Sequence, residues 1–482
     1  MSNYFQNFLS PLKELKRFFY DPVTVDKDAP KLDTDVPSKK FSADGQVEDW
    51  KIPAIPLPTT LVESYPRKFI EVVPSYDATD IKKMAERAIY MYNANSSIPP
   101  YIPHIIKGEY EKAMKSLLLL NPMPGSSGRL NSKIYHGIGK TSNHEHNDIA
   151  IFQKFLSDMF IESGYNSLMK MEPARNIASI KIVGSGPSGL STAFFLAKQG
   201  IASEILEGLP IPGGMLSFGI PEYLLPSRVV SSEIEFIKSL GVDITTKVKV
   251  GTNRDLNKII SESKIVVLGV GLQNSDKLDS YPTEEFPEIV DALPFLKKMK
   301  YRISRNAPTD VEYLGGSVVV IGDNPIALAT ARTAVRMGST VTLLVKKNSS
   351  FPSDEKQDLA ILLKEGIKIV ENVENIDFIR DGRHPTIVVN GKNKMLAEKI
   401  VVAKERRPNW NFLNSLDIDS RPALTQDGKK IKVDPTTFAT NIPNLFAVGD
   451  IVNDQSSFYK AIQDGKTVAD AIVKSLKESG LI

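Results

Sequence analysis

The chain contains no cysteine in 482 residues. That absence removes disulfides, thiolate nucleophiles, Cys-ligated zinc and Cys-ligated iron–sulfur clusters. It also removes any reductase that works through a redox cysteine pair. No apolar run approaches the ~20 residues that cross a bilayer. The N-terminus has spaced rather than continuous apolar residues and no small-residue cleavage site, so no signal peptide is expected. A cytoplasmic protein is expected. An excess of one charge is lacking too: 60 basic and 57 acidic residues leave a formal net charge of +3, which argues against a nucleic-acid partner. Histidine is scarce, at 5 residues. His144-Glu145-His146 reads as a solvated loop rather than a metal site, and His104, His136 and His384 are isolated, so no metal is expected. No Ser/His/Asp arrangement can be argued from spacing, and no acid–base catalyst is assigned.

What is present is an ordinary globular composition, 41% hydrophobic and 24% charged, with length for about three domains at ~150 residues each. Residues 1–21 have the spacing of an amphipathic helix, with Phe5, Phe8, Leu9, Leu12, Leu15, Phe18 and Phe19 at three- and four-residue steps. Such a helix packs on its own domain or docks to a partner or a membrane surface. Residues 22–65 read as an extended arm rich in Pro, Asp, Lys and Ser. From 66 to 172 the pattern is helical, with helices expected at 78–93, 109–120 and 147–163. Asn121-Pro122-Met123-Pro124-Gly125 reads as a turn between them. From 179 strands and helices alternate, the signature of a doubly wound parallel sheet.

Ser179–Val183 is a short β-rich run that leads into Gly184-Ser185-Gly186-Pro187-Ser188-Gly189. A helix then runs through Gln199 to a stop at Gly200, and a second strand, Ala202–Leu206, ends at Glu207. This is a complete strand–GxGxxG–helix–strand–acid unit. Gly184 permits the tight turn, Gly186 lets the backbone approach a diphosphate, and Gly189 lets helix and strand pack closely. The helix N-terminus offers free N–H groups to phosphates, and Glu207 stands where a carboxylate accepts ribose hydroxyls. The unit predicts a bound dinucleotide.

A second copy follows. The strand Ser317–Ile321 runs into Gly322-Asp323-Asn324-Pro325-Ile326-Ala327, then a helix to Met337, a stop at Gly338, and the strand Thr340–Val345. Val345 replaces the acid and is followed by Lys346 and Lys347. Loss of the carboxylate and gain of two cations favour a 2′-phosphate, hence NADP(H), with NAD(H) the alternative. Asn324 replaces the second glycine; it is the least costly residue there if φ is positive, but its side chain takes space a diphosphate would use.

Two such units, one inserted in the other, resemble the FAD/NAD(P)-dependent oxidoreductases. More narrowly the chain resembles the small subunit of glutamate synthase and the flavoprotein part of dihydropyrimidine dehydrogenase. The resemblance rests on Pro212–Pro226, similar to a GGxLxxGIPxxxLP segment beside FAD, and on Asn444–Asp450, similar to a carboxy-terminal FAD motif. It implies an α/β fold of two nested Rossmann-like domains behind a helical domain. The expected layout is an N-terminal helix and arm at 1–65, a helical domain at 66–175, an FAD domain at 176–292 and 412–482, and an NAD(P) domain at 293–411. The resemblance adds Gly214, Met215, Leu216, Ile220, Gly449 and Asp450 to the FAD site, Asp450 on the ribityl chain. It also implies that the helix containing Ala461, Ile462 and Gly465 points its N-terminus at the flavin.

Ile98–Gly108, Asn121–Pro124 with Gly128-Arg129, and Arg87–Met91 resemble segments of the helical domain that holds two iron–sulfur clusters in relatives. The matching cysteines are here Ala88, Met91, Ser127 and Asn131, so no iron–sulfur cluster is expected. Val401–Asn409 resembles an ATGxxPN strand with Glu405 in the glycine position. Phe18–Val25 is faintly similar to a segment of the iron–sulfur subunit of respiratory complex I, which suggests peripheral membrane-complex docking through residues 1–25. Two functions follow from these readings. One is an oxidoreductase subunit passing electrons from NADPH through FAD to another electron-transfer protein. The other is a flavin-bearing adaptor subunit without nicotinamide turnover.

Overall fold

The computed structural model describes residues 71, 75–91, 98–130, 145–161, 165, 173–175, 179–275, 278–304, 316–347, 361–380, 382–417, 421–453 and 457–482. The expectations for residues 1–65, including the amphipathic helix and its docking, lie outside these residues, as do Asn131 and His144. The chain divides into two compact units, a helical one within residues 74–172 and a larger one from Pro173 to Ile482. Among the described residues no helix is long and apolar enough to cross a membrane.

The helical unit contains α1 (Ala78–Met91), α2 (Ile102–Ile106), α3 (Tyr110–Leu118), α4 (Pro124–Leu130) and α5 (Glu145–Phe160). Ile81, Ala85 and Ala88 recur at helical spacing on α1 and are buried, with Met114, Leu117, Phe152 and Leu156 in the same unit's core. The helix α4 was not expected, because Asn121–Gly125 reads locally as a turn and α4 begins inside it. Its small residues serve packing instead. A Cβ on Gly128 would lie 2.4 Å from the Lys154 backbone nitrogen and 2.7 Å from the Ala150 carbonyl oxygen, so α4 and α5 touch backbone to backbone. Gly128→Ala is accordingly expected to destabilise this unit by about 3 kcal/mol through overpacking. Denaturant unfolding followed by circular dichroism would read this, and an unchanged midpoint would contradict the close approach.

The larger unit holds two five-stranded parallel sheets. The first is built from β1 (Ile180–Val183), α6 (Pro187–Lys198), β2 (Ser203–Leu206), α7 (Met215–Phe218), α8 (Ser227–Ser239), β3 (Val242–Thr245), α9 (Leu256–Glu262) and β4 (Ile265–Leu268). The chain then leaves through β5 (Asn274–Ser275) for the second sheet. That sheet is built from β6 (Ile289–Asp291), α10 (Ala292–Ser304), β7 (Ser317–Ile321), α11 (Pro325–Arg336), β8 (Thr340–Lys346) and β9 (Lys368–Val373). An antiparallel layer of β10 (Ile376–Arg380), β11 (Pro385–Val389) and β12 (Asn393–Leu396) follows, and then β13 (Lys399–Val402). The return passes through β14 (Arg406–Arg407), which pairs antiparallel with β5, to β15 (Leu445–Ala447) and α12 (Phe458–Glu478). Strand orders are β15-β4-β1-β2-β3 and β6-β13-β7-β8-β9. This is the nested α/β architecture expected from the sequence.

In each sheet the order reverses beside the strand that carries the glycine loop, β1 next to β4 and β7 next to β13. Such switch points open a crevice at the carboxyl ends of the strands, where doubly wound sheets take ligands. Gly200 and Gly338 both end their helices in the left-handed region, at φ of 79° and 88°, as glycine at a helix C-terminus should.

Three basic residues of the inserted part grip one segment of the first. Arg332 and Arg336, one turn apart on α11, both bond the Glu365 carboxylate, with contacts of 2.8 Å each. Their guanidinium carbons lie 5.0 and 4.1 Å from the ring centroid of fully buried Tyr223, and the Tyr223 hydroxyl donates to the Ala329 carbonyl at 3.3 Å. Lys300 on α10 is buried, pairs with Glu222 at 2.8 Å and donates to the Leu225 carbonyl. Burial pushes the Lys300 ammonium down from its usual range, against the pull of Glu222.

Candidate dinucleotide sites

At the first switch point the glycines divide by what surrounds them. Gly184 has φ 104°, and a Cβ there would meet the Gly269 carbonyl oxygen at 2.5 Å; on Gly189 it would meet the Gly184 oxygen at 2.1 Å. Both are fixed by the fold itself. Gly186 differs: φ is −68°, and a Cβ would meet nothing within 4 Å. Its backbone faces open space at the N-terminus of α6, where a diphosphate could sit.

The segments named by the family resemblance converge on this loop. Gly214, at φ 55° and the residue before α7, would place a Cβ 2.9 Å from the Gly186 Cα. Met215 and Leu216 begin α7, and Ile220 follows it. Gly449, at φ 77°, would place a Cβ 2.6 Å from Ser188 Oγ. Gly465 brings α12 against α6, its Cβ position 2.8 Å from the Ser188 oxygen, and Ser191 Oγ donates to the Ile462 carbonyl at 2.9 Å. Pro187 and Ser188 are the first two residues of α6.

Glu207 is buried beside the loop and already binds it. One oxygen accepts from the Ser185 backbone N–H at 2.9 Å and from the Ser185 hydroxyl; the other accepts from the Leu209 N–H at 2.7 Å. The carboxylate therefore shapes the loop as well as offering remaining lone-pair sites to a sugar. Asp450 has a partner that sequence reasoning missed. Arg406, on the return strand β14, lies 3.2 Å from it, and both side chains are about one-fifth exposed. The family strand that contains Arg406 was legible, but not its neighbour 44 positions on.

At the second switch point Gly322 packs against Ala403, its Cβ position 2.9 Å from the Ala403 oxygen. This mirrors Gly184 against Gly269. Asn324 corrects the sequence reading. Its φ is −125°, extended rather than positive, because it serves as the N-cap of α11. Its Oδ1 accepts from the Ala327 N–H at 3.0 Å and its Nδ2 donates to the Ala403 carbonyl at 3.1 Å. Asn is a preferred cap, and this one occupies a backbone donor that an anion could otherwise use. Pro325 and Ile326 are the first residues of α11.

Val345 is buried at the position where the first unit has its acid. The Lys346 side chain is exposed and makes no hydrogen bond or ion pair among the described residues, whereas Lys347 pairs with Glu374 across a half-exposed contact. Glu405 is exposed.

Residues 178–465 match the pyridine nucleotide-disulphide oxidoreductase family, from just before β1 to the α12 glycine that touches α6. The chain belongs to that family. Membership makes it an FAD-dependent oxidoreductase with sites for FAD and NAD(P), although a chain without cysteine carries no redox disulfide of its own. The likeness to the glutamate synthase small subunit holds as well. The Escherichia coli (strain K12) glutamate synthase (NADPH) small chain is 25% identical over 456 residues, 85% of this chain and 94% of that one. The NADP(+)-dependent formate dehydrogenase subunit beta of Moorella thermoacetica is 27% identical over 80% of this chain, which spans 59% of that protein. The NAD-dependent dihydropyrimidine dehydrogenase subunit PreT of Escherichia coli (strain K12) is 27% identical over 67% of this chain and 74% of its own length.

Proposed function

We propose that this chain carries electrons from NADPH, through FAD, to a separate electron-transfer protein. The observation that supports it most is the open face of Gly186, bordered by Gly214 and with Gly449 against the neighbouring Ser188. Three distant segments leave one backbone edge free for a diphosphate. We assign FAD to the first sheet and the nicotinamide nucleotide to the second. When bound, FAD supplies the chemistry: it takes up two electrons as hydride and can pass them on singly. The chain's part is placement. The α6 terminus and loop hold the diphosphate, Glu207 takes the sugar, Asp450 takes the ribityl chain, and α12 sets its positive end toward the flavin.

Choice of NADPH rests on Val345 in place of an acid and on Lys346. Lys347 is the weaker candidate because Glu374 competes for it. Replacing Lys346 with Ala is expected to weaken NADPH roughly tenfold, the loss of one charge-assisted hydrogen bond, and to leave NADH nearly unchanged. Lys347→Ala should do less. Titration of both nucleotides measures this, and equal effects on the two would remove the 2′-phosphate argument.

The partner is required because the chain's own residues offer no other redox group. At the cluster-ligand positions stand Ala88, Met91, Ser127 and Asn131, none a thiolate. Ser127 is buried, with its hydroxyl accepting from Asn121 Nδ2 at 2.7 Å. That donor set does not fit an iron–sulfur cluster, and we route no electrons through the helical unit.

The deciding experiment is anaerobic reduction of the purified yellow protein, followed by visible absorbance. Rapid bleaching by NADPH is the expected result. A flavoprotein indifferent to both nicotinamides would favour the adaptor reading, for which the Asn324 cap on α11 is the specific observation. A native preparation that stays colourless when given FAD would sink both.

A further inference from the structure

We propose that Lys297, reaching from the inserted unit, is the cation that pairs with the diphosphate of FAD, so that the cofactor is held from both nucleotide units. The proposal rests on the FAD assignment above. Lys297 and Lys300 lie one turn apart on the same face of α10. Lys300 fixes where that face points, because it is buried against Glu222 and the Leu225 carbonyl. Helix α10 also packs on α7, and Gly214 at the start of α7 is the residue that closes on Gly186. The turn of α10 that precedes Lys300 therefore comes alongside the loop.

The electrostatic setting of Lys297 agrees with that placement. The side chain is half-buried and makes no hydrogen bond or ion pair among the described residues. Burial pushes its pKa down, and Asp291 and Glu207 pull it back up. Both of these carboxylates already accept hydrogen bonds from other groups. Glu207 accepts from Ser185 and Leu209, and one Asp291 oxygen accepts from the Ser275 hydroxyl at 2.8 Å and the Leu293 N–H at 2.9 Å. A partly desolvated ammonium without a bonded partner is costly, and a diphosphate placed at the α6 terminus would satisfy it with a charge-assisted contact.

The test compares full-length wild type, Lys297→Met and Lys297→Arg, each stripped of flavin and checked for native circular dichroism. Met keeps length and helix propensity without charge. FAD affinity is measured by fluorescence titration at several ionic strengths. Lys297→Met is expected to bind FAD roughly tenfold more weakly and with a shallower salt dependence, while Lys297→Arg stays near wild type. Equal affinity in wild type and Lys297→Met would overturn the proposal, as would a loss that leaves the salt dependence unchanged. A wild type that binds no FAD would overturn the FAD assignment itself, which is a different result from wild type and variant binding alike.

Discussion

Protein carrying Gly186→Ala is expected to purify colourless, yet to unfold near the temperature of flavin-free wild type. The added methyl group meets no protein atom within 4 Å, and φ of −68° suits alanine. The ~0.4–1 kcal/mol gained through the unfolded chain is roughly offset because alanine is a poorer N-cap of α6 than glycine. The same methyl enters the space proposed for the diphosphate, so FAD affinity should fall at least ~100-fold, about 2.7 kcal/mol. Gly189→Ala makes the opposite control. Its methyl would sit 2.1 Å from the Gly184 oxygen, so stability falls with or without flavin. If Gly186→Ala retained FAD, the diphosphate could not lie where this loop is open.

The second large effect is expected at Glu365. Its carboxylate is the shared counter-ion of Arg332 and Arg336, whose side chains are 10% and 1% exposed. Removing it strands two guanidinium groups in the interior. Breaking a buried pair from one side costs about 3–5 kcal/mol, and the loss should reach Tyr223, over whose ring both groups lie. Glu365→Ala should therefore unfold at much lower denaturant concentration. Glu365→Gln, which keeps the shape and half the acceptors, should lie between it and wild type.

The effect carries a pH signature. Burial raises the Glu365 pKa, but hydrogen bonds from Arg336 and Arg332 outweigh it and hold the group below the usual carboxylate range. A depressed folded pKa contributes stability that is complete above the unfolded value of about 4.3 and is lost as pH falls through the folded one. The gap between wild type and Glu365→Gln should thus be constant near neutrality and close in acid. A gap independent of pH down to the acid limb would mean the carboxylate is not the ionised partner.

Both glycine loops were legible in the sequence because their determinants are local. A strand, a turn of fixed spacing and a helix lie within twenty residues, and Gly200 and Gly338 mark where each helix stops. Asn324 was misjudged because its backbone was inferred from the glycine it replaces, when its side chain supports a different conformation by capping α11. Helix α4 was hidden for a related reason. Gly125, Ser126, Ser127 and Gly128 favour a turn by local propensity, and only the neighbouring α5 backbone makes small residues the right ones for a helix. The grip on Tyr223 gave no signal at all. Tyr223 and Ala329 stand 106 positions apart, and Arg332 and Glu365 33, with nothing periodic to join them. Asp450 was named from a family motif, whereas its ion pair with Arg406 depends on β14, 44 positions earlier in the chain, and has no local signal.

The pairing of β5 with β14 has a consequence for how such a molecule can be rebuilt. The outgoing and incoming chains cross side by side, Ser275 opposite Arg406 and Asn274 opposite Arg407, so their Cα atoms are about 5 Å apart as in any antiparallel pair. Everything between them could be excised and the cut ends joined by a short hairpin turn without stretching either strand. The first-sheet half would then stand alone without Lys297, and the face it newly exposes, which includes Tyr223 and Glu222, would need polar replacements.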